Sequence, residues 1–463
     1  MSDLASAVSA SGTQLAAGTG LDLSWPQQVT VIVLCAVTAF ISHKALAVFN
    51  DGVRPFMLDF IQGRTTRSAT TAVSFGLSAG FIFGLGAPMA LSSGVLNPWL
   101  VFLPTDILGL LSPKKWLAPL LGAAWGAVVV YGLNGANEVA HDLPVDFLTA
   151  MQQMSTPILF LFTLFPVLAI TKQFGRKWGA VAGVVELVLV VATMKLWPNM
   201  FAGALAMAVG VLLLIGLAVR KDLAQRKADR AEAAARGESA ASTQDEAPED
   251  DPMASLFSAS AARLRRHLPL FMLLGAGVCL LAQMHIFGGG EATSFLIAKG
   301  HISEAAQVDF YRVFGFIPLI ATTALASGAY GIAGFTLVYP IGYLMPNPVL
   351  AVIVGAAVFA VEVLALSYIG KVLGKLPSVR DSSEHLRNAI TDSLHLAILF
   401  GSLMAANAMG AGLGILIVGG LYLLNEAMGR PVVRMAAAPA AVIVGGVLLN
   451  ILYWLDLFTP VKG

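Results

Sequence analysis

The chain has 463 residues, of which 57% are hydrophobic and only 12% are charged, whereas a soluble domain carries about 25% charged residues. The formal net charge is +1, and the Lys and Arg residues form no basic stripe, which argues against a nucleic-acid partner. Apolar runs long enough to cross a bilayer recur from Trp25 to Phe458, with one polar interruption between Arg220 and His267. This pattern predicts an all-α fold: a polytopic transmembrane helical bundle in contact with the lipid bilayer.

The apolar runs divide the chain into two transmembrane halves, 25–219 and 269–463, which are candidates for related units. Residues 1–24 are rich in Ala, Ser and Gly and predict a disordered N-terminal tail. Residues 220–268 are polar and charged and predict a linker. The predicted spans are 26–48, 69–91, 94–111, 116–135, 152–173, 177–196, 199–219, 269–288, 348–370, 388–409, 411–427 and 435–457. Together with the Gly-rich region 313–345, taken as a broken or re-entrant helix, they give about 12 to 14 membrane segments.

The orientation follows from the distribution of Lys and Arg between the short loops. The loops that carry Lys44, Lys114 and Lys172 are positively charged, whereas the 137–150 stretch contains neither Lys nor Arg. The N-terminus is therefore predicted outside, and the 220–268 linker in the cytoplasm.

Ionisable groups inside the membrane are costly, so each is a candidate site. Asp106 carries the most weight, because Pro104 frees a backbone carbonyl near it, and a broken helix with a carboxylate is a common ion or substrate site. The alternative is that Asp106 only caps a helix at the cytoplasmic rim. Asp51 and Arg54 follow the first span and form either a gating pair or a plain cytoplasmic turn.

Asn425, Glu426 and Arg430 form a second polar constellation near the C-terminus. Glu426 and Arg430 are four residues apart with Glu first, which puts them on one helix face in the favourable order. An interior pair would gate a pathway, whereas a pair at the membrane rim would only satisfy the positive-inside bias.

The segment after Arg312 contains Thr322, Thr323 and Ser327 among apolar residues. It is similar to the unwound midplane segments of secondary transporters, where freed backbone groups coordinate solute, and Arg312 would attract an anion to its mouth. The alternative is a Thr/Ser face that only packs helices together.

Glu186 and Glu362 lie near the middle of apolar spans. Either would carry a proton if burial favours its neutral form, although Glu362 would equally serve by hydrogen-bonding a neighbouring helix. The chain has no H-E-x-x-H, Walker A or Cys/His cluster, so no enzyme, metal or cofactor is predicted. Asn97-Pro98 and Asn347-Pro348 each open a span and suggest an internal repeat.

Several segments resemble the YhfT-type family of bacterial inner-membrane proteins, in the same order and over nearly the whole chain. Among them are FNDGVRP at 49–55, LNPWLVFLPTDILG at 96–109, GFIPLIATTALASG at 315–328 and LNEAMGRPVVRMAA at 424–437. The resemblance implies a polytopic protein of the bacterial inner membrane that is often regarded as a permease. It supplies no substrate and no catalytic residues.

Two functions are compatible with these observations. The first is a transporter that moves a small polar or anionic solute by an ion-coupled secondary mechanism, with a proton or sodium as the coupling ion. Asp106 would bind the ion, Arg312 or Arg430 would engage the solute, and Thr322, Thr323 and Ser327 would line the site. The second is an integral-membrane subunit, alone or as an oligomer, that recruits cytoplasmic partner proteins through the 220–268 segment and transports nothing.

Overall fold

The computed structural model of the chain describes most of its residues, and these are almost entirely helical. The described residues are 23–50, 53–61, 63–82, 86–154, 157, 160–161, 163–197, 202–235, 252–310, 324–325, 328–331, 337–432 and 434–460. Within them, five helices are long and apolar enough to cross a membrane, and a bent helix pair adds a sixth crossing if it is counted as one span. The chain is therefore an all-α, multi-pass membrane protein, as its composition predicts.

The first half contains helices α1 to α10. Their bounds are α1 Trp25–His43, α2 Arg54–Ile61, α3 Arg67–Phe81, α4 Ala87–Ser93, α5 Pro98–Leu111, α6 Leu117–His141, α7 Phe147–Met151, α8 Phe165–Phe174, α9 Arg176–Leu196 and α10 Ala202–Ala235. The first helix begins at a capping contact, because the Gln27 side-chain oxygen accepts a hydrogen bond from the Ser24 N–H at 2.7 Å.

The second half contains helices α11 to α18. Their bounds are α11 Pro252–Arg266, α12 Leu268–Gln283, α13 Glu291–Ala298, α14 302–310, α15 Val338–Tyr343, α16 Pro348–Lys375, α17 Pro377–Ala427 and α18 Arg434–Trp454. Helix α17 is a pair of helices, because Gly410 and Ala411 have non-helical dihedral angles. His395 on its first arm contacts the Tyr422 hydroxyl on its second arm at 2.7 Å, so the arms run antiparallel. The separate spans predicted at 388–409 and 411–427 are the arms of this pair.

The central helices of the two halves, α1 and α12, cross in opposite directions. Arg263, just before α12, donates a hydrogen bond to the carbonyl oxygen of Lys44, just after α1, at 3.1 Å. Leu34, midway along α1, lies against Gly277, midway along α12. The start of one helix is therefore beside the end of the other, and they meet at their midpoints.

The two halves repeat the same backbone course beyond these helices. The chain leaves α1 through Ala45, with φ of 53°, and leaves α12 through His285, with φ of 56°. In each half, a long helix then packs antiparallel to the central helix through a glycine, Gly122 of α6 on α1 and Gly355 of α16 on α12. Because α1 and α12 are antiparallel, the halves form an inverted repeat.

Two short bridges exchange backbone hydrogen bonds between the halves. Ala47, after α1, pairs with Tyr330 of the second half, and Phe287, after α12, pairs with Leu96 of the first half. The four N–H···O distances lie between 2.8 and 3.0 Å. These bonds satisfy backbone groups that would otherwise be unpaired inside the bundle.

Residues 44–66, which we call hairpin 1, leave the end of α1, enter the bundle and return. The Phe49 ring stacks on Phe102 in the middle of α5, with centroids 5.1 Å apart, and Arg67 is again beside His43, at 3.2 Å. Residues 284–301, hairpin 2, start at the end of α12, and Phe287 meets Phe102 edge-on at 5.5 Å. Segments that start at opposite ends of the bundle thus reach the same buried ring.

Helices α8, α9, α10 and the first arm of α17 have their own apolar core, and we call this group the peripheral lobe. Its buried members are Phe165, Ala169, Ile170, Ala182, Met207, Val211, Leu214, Leu217, Leu386 and Ala389. The outer face of α9 exposes a row of aliphatic side chains that includes Val184, Leu187 and Val188. Such a face suits contact with lipid.

The predicted linker, 220–268, is structured at both ends. Helix α10 continues through Ala235, and α11 packs on the bundle through the buried side chains of Ala261 and Leu264. Residues 236–251, with the acidic tract, lie outside the described residues, as does nearly all of the predicted tail over 1–24. The described ends of the predicted linker are therefore helical, and its last helix contributes to the core.

Candidate functional site

The site is centred on Asp106, which α5 holds at the inner end of hairpin 1. Asp106 is fully buried, and its Oδ2 accepts a hydrogen bond from the Phe49 N–H at 3.3 Å. The Ser42 hydroxyl and the Asn50 N–H also lie close to this carboxyl group, although no described donor reaches Oδ1 at full hydrogen-bond distance and angle. Among the described residues, Oδ1 therefore receives no complete hydrogen bond.

Pro104 breaks the hydrogen-bond pattern of α5 just before Asp106. The carbonyl that a proline frees is that of the residue four positions earlier, here Leu100. This oxygen accepts a hydrogen bond from the Trp125 indole N–H at 2.9 Å. The freed carbonyl therefore has a hydrogen-bond donor in Trp125, on the helix that packs beside α5.

The base of hairpin 1 carries positive charge. Arg67 lies against the His43 imidazole at 3.2 Å and donates to the Leu110 carbonyl oxygen at 3.5 Å. His43 in turn contacts the Gly109 carbonyl oxygen at 3.2 Å. Arg67 therefore lies about one turn beyond Asp106 along α5, and in the described part of the chain no salt bridge joins the two.

Hairpin 2 has a related but different arrangement. The Gly289 N–H donates to the Tyr343 hydroxyl at 2.8 Å, and that hydroxyl donates to Oδ2 of Asp309 at 2.7 Å. The Thr293 hydroxyl donates to Oδ1 of Asp309 at 2.8 Å. Both oxygens of this buried carboxyl group are thus hydrogen-bonded within the protein.

The inverted repeat makes these two networks comparable. Phe49 and Gly289 each lie two residues beyond the bridging residue of their hairpin. The N–H of Phe49 meets a carboxyl group directly, whereas the N–H of Gly289 meets the hydroxyl of Tyr343, which relays to Asp309. In the first half, the hydroxyl beside the carboxyl group is that of Ser42, and no described donor completes a hydrogen bond to Asp106 Oδ1.

Glu362 lies on α16 beside the first bridge rather than at a hairpin tip. It accepts hydrogen bonds from the Tyr330 hydroxyl and from the Leu337 N–H, the latter at 3.3 Å. Tyr330 is the residue that pairs with Ala47. This geometry therefore favours the alternative in which Glu362 hydrogen-bonds a neighbouring part of the fold over the one in which it carries a proton.

Asn425, Glu426 and Arg430 lie at the turn between α17 and α18. The Asn425 side chain exchanges two hydrogen bonds with the Val432 backbone, and Glu426 forms 2.9 Å ion pairs with Arg430 and Arg434. The Arg430 side chain is 51% exposed, and the hydrogen bonds to Glu426 raise the pKa of Arg434. This geometry favours the alternative in which the three residues lie at the membrane rim and stabilise a turn, rather than gate a pathway in the interior.

The remaining predicted site residues are Asp51, Arg312, Thr322, Thr323 and Ser327, and they lie outside the described residues. Arg54 begins α2, and only its backbone position is described. Within the described ranges, no group of three or more His, Cys, Asp or Glu side chains is arranged to hold a metal ion.

Asp309 is the site residue that sequence reasoning missed. It lies in α14, outside every predicted span, within a short polar helix that gives no membrane signal. Its significance comes from Thr293 and Tyr343, which are distant in sequence. The Gly-Gly-Gly run at 288–290 was the available signal, because it marks close backbone approach.

Comparison with known proteins places the chain in one family. A family model named YhfT, described as a protein of unknown function, matches residues 27–458. The chain is 40% identical over 446 residues to "Uncharacterized protein YhfT" of Escherichia coli (strain K12), an alignment that covers 94% of this chain and 99% of that protein. No solved structure matches. Since the match runs through both halves of the inverted repeat and both hairpins, the chain belongs to the YhfT family.

Proposed function

We propose that this protein is a secondary transporter of the bacterial inner membrane that moves a small polar or anionic solute with a coupled cation. The observation that carries the proposal is the meeting of two inverted re-entrant hairpins beside Asp106. Inverted repeats with broken segments at the bundle centre are a recurrent architecture of secondary transporters. The proposal assigns the protein no catalytic activity.

The unsatisfied oxygen of Asp106 supports an ion at this position. A buried ionised carboxyl group that lacks donors costs several kcal/mol. A proton would neutralise it, and a sodium ion would be coordinated by its oxygens together with the Ser42 hydroxyl. Either cation would satisfy the carboxyl group. Because the Phe49 N–H of hairpin 1 already donates to this carboxyl group, binding of the cation would be coupled to the position of hairpin 1.

The hairpins supply two gates in this proposal. Hairpin 1 and hairpin 2 start from opposite ends of the bundle, and both reach Phe102. The buried rings close the centre, so movement of one hairpin at a time would open it to one side only. By the positive-inside rule, hairpin 1 faces the cytoplasm. The solute site would then include Arg312, Thr322, Thr323 and Ser327, on the segment that leads to Tyr330.

The ion site is tested with the purified protein in detergent, in the absence of solute. Sodium chloride is titrated against potassium chloride at several pH values while thermal unfolding is followed. A cation that binds only the folded protein raises Tm by mass action. Asp106→Asn should abolish the shift, whereas Asp59→Asn should preserve it, because the Asp59 side chain is exposed and pairs with Arg64 at 3.6 Å.

Transport is tested with proteoliposomes on a solid-supported membrane. Pools of small carboxylates, amino acids, sugars and nucleosides are applied with and without imposed sodium or proton gradients. We expect a gradient-dependent current for one pool that is lost in Asp106→Asn and retained in Asp59→Asn. Equal currents in wild type and Asp106→Asn would refute the role of Asp106.

A second candidate function is the recruitment of cytoplasmic proteins. It is favoured by the continuation of α10 through Ala235, beyond the apolar part of the helix, as a mostly exposed charged arm. Replacing residues 224–251 with a flexible linker of equal length tests it, since this change keeps Asp222, which accepts hydrogen bonds from the Ser378 N–H. A transporter tolerates the replacement, whereas an anchoring subunit loses its partner in co-purification.

A further inference from the structure

The peripheral lobe contains a buried acid that the hairpin site does not use. Glu186 lies near the middle of α9 and is only 2% exposed. Neither of its carboxyl oxygens has a hydrogen-bond partner among the described residues. It is therefore less satisfied than Asp106, Asp309 or Glu362, each of which accepts at least one hydrogen bond.

The packing around Glu186 is close and apolar. A methyl group built on Gly210 of α10 would lie 2.3 Å from Glu186 Oε1 and 2.7 Å from Pro166 Cβ of α8. The carboxyl group thus lies directly against the backbone of α10, where only glycine leaves room for it. Two turns further along the same face of α9, the buried Thr193 hydroxyl also has no described partner.

The charged groups of the surrounding helices are engaged elsewhere or are far away. Lys172 of α8 pairs with Asp392 of α17 at 2.6 Å, and Asp222 of α10 binds the Ser378 N–H. On α9 itself, Lys177 and Lys195 each stand nine residues from Glu186, or about 14 Å along the helix. Among the described hydrogen bonds and salt bridges, none brings a cation or a titratable side chain such as His385 to the Glu186 carboxyl group.

These contacts favour the neutral, protonated form of Glu186. An ionised carboxyl group without donors costs several kcal/mol at the centre of a membrane protein, whereas the neutral acid loses much less on burial. A purely structural residue at this position would cost less as Leu or Met. A buried acid without a partner is instead the arrangement expected of a group that binds and releases a proton.

We propose that Glu186 is a proton-binding site of the peripheral lobe, neutral in this conformation and deprotonated when the α8–α9–α10 contact opens to water. The proposal rests on the proposed transport function for the role of that proton. The proton would bind as the carboxylate becomes the acid, and the acid would return it to water on the opposite side.

Infrared difference spectroscopy of the protein in lipid tests the site without any solute. Wild type should show a protonated-carboxyl stretch that shifts in D₂O and disappears as the pH is raised. Glu186→Gln, which resembles the neutral acid in shape and charge, should lose this band with little change in Tm. Glu304→Gln is the matched control, because Glu304 is 31% exposed and pairs with His301 at 2.7 Å.

The outcomes are distinct from those of the Asp106 experiments. A spectrum of Glu186→Gln that matches wild type would overturn the proposal, and so would a band that never titrates while the protein stays folded. If Glu186→Gln does not fold, Glu186→Asp keeps the acid, and its band should move in frequency rather than vanish. In proteoliposomes, Glu186→Gln should remove the response of the current to a proton gradient, and an unchanged response would count against the role in coupling.

Discussion

The inverted repeat makes a quantitative prediction about the glycines that join its helices. An added methyl group on Gly122 would lie 2.2 Å from the Cys35 carbonyl oxygen, and one on Gly355 would lie 2.4 Å from Cys279 Cβ. In both places the helices must move apart, because a backbone carbonyl or a Cβ atom cannot rotate away. Overpacking of this kind costs about 1–3 kcal/mol, and the gain in helix propensity from Gly to Ala returns only about 0.5–1 kcal/mol.

The net expectation for Gly122→Ala and for Gly355→Ala is therefore a loss of about 1–2 kcal/mol each. Gly132→Ala is the matched control on the same helix as Gly122, because its nearest neighbour is Val128 Cγ1, 3.7 Å from the added methyl group. Its stability should be unchanged or slightly higher.

The assay is thermal unfolding of the three purified variants in one detergent, followed by tryptophan fluorescence and by recovery of the monodisperse peak. Gly122→Ala and Gly355→Ala should both melt below wild type by a similar amount, since the two contacts occupy equivalent places in the repeat. A Tm for either variant equal to that of Gly132→Ala would refute the close packing from which the repeat was inferred.

Two further contacts give predictions of the same kind. Trp125→Phe leaves the Leu100 carbonyl oxygen, freed by Pro104, without its donor, and should cost about 1–3 kcal/mol in thermal unfolding, whereas Trp116→Phe at an exposed position should not. Arg263→Gln removes the donors that hold the carbonyl oxygens of Gly328 and Lys44 and should accelerate amide hydrogen exchange at the Ala47–Tyr330 bridge about tenfold. Exchange there should not change in Arg265→Gln, whose side chain is exposed, and equal protection in both arginine variants would contradict the bracing role of Arg263.

The sequence predicted the class of fold and several breaks in it, because these depend on local composition. The break between the spans at 388–409 and 411–427 occurs at Gly410 and Ala411, where the small residues permit a sharp turn. The Asn-Pro pairs at 97–98 and 347–348, which suggested an internal repeat in the sequence, do not lie at equivalent positions of the two halves. Asn97 caps α5 and Asn347 caps α16, yet the helix of the first half that is equivalent to α16 is α6, so the two Asn-Pro pairs are not equivalent.

The site was less predictable because its properties come from contacts distant in sequence. Pro104 correctly marked a freed carbonyl, but only the fold shows that Trp125 occupies it. Asp309 gave no signal, since its partners come from α13 and α15. Glu186 gave a signal through its place in an apolar span, and the fold adds that no described residue donates to its carboxyl group.

The difference between the halves is the physical reason for placing the ion at Asp106 rather than at both hairpins. In hairpin 2 the backbone N–H meets a neutral hydroxyl, and the carboxyl group behind it receives hydrogen bonds at both oxygens. In hairpin 1 the N–H meets the carboxyl group itself, and no described residue completes a hydrogen bond to its second oxygen. If the carboxyl groups beside both hairpins were fully hydrogen-bonded, neither would bind a cation. Because, of these two, only the Asp106 carboxyl group has an oxygen that receives no complete hydrogen bond from a described residue, the cation would bind on one side of the repeat only. On this argument, Ser42→Ala weakens the sodium-dependent Tm shift and Thr293→Val leaves it intact, and the reverse result would move the ion to hairpin 2.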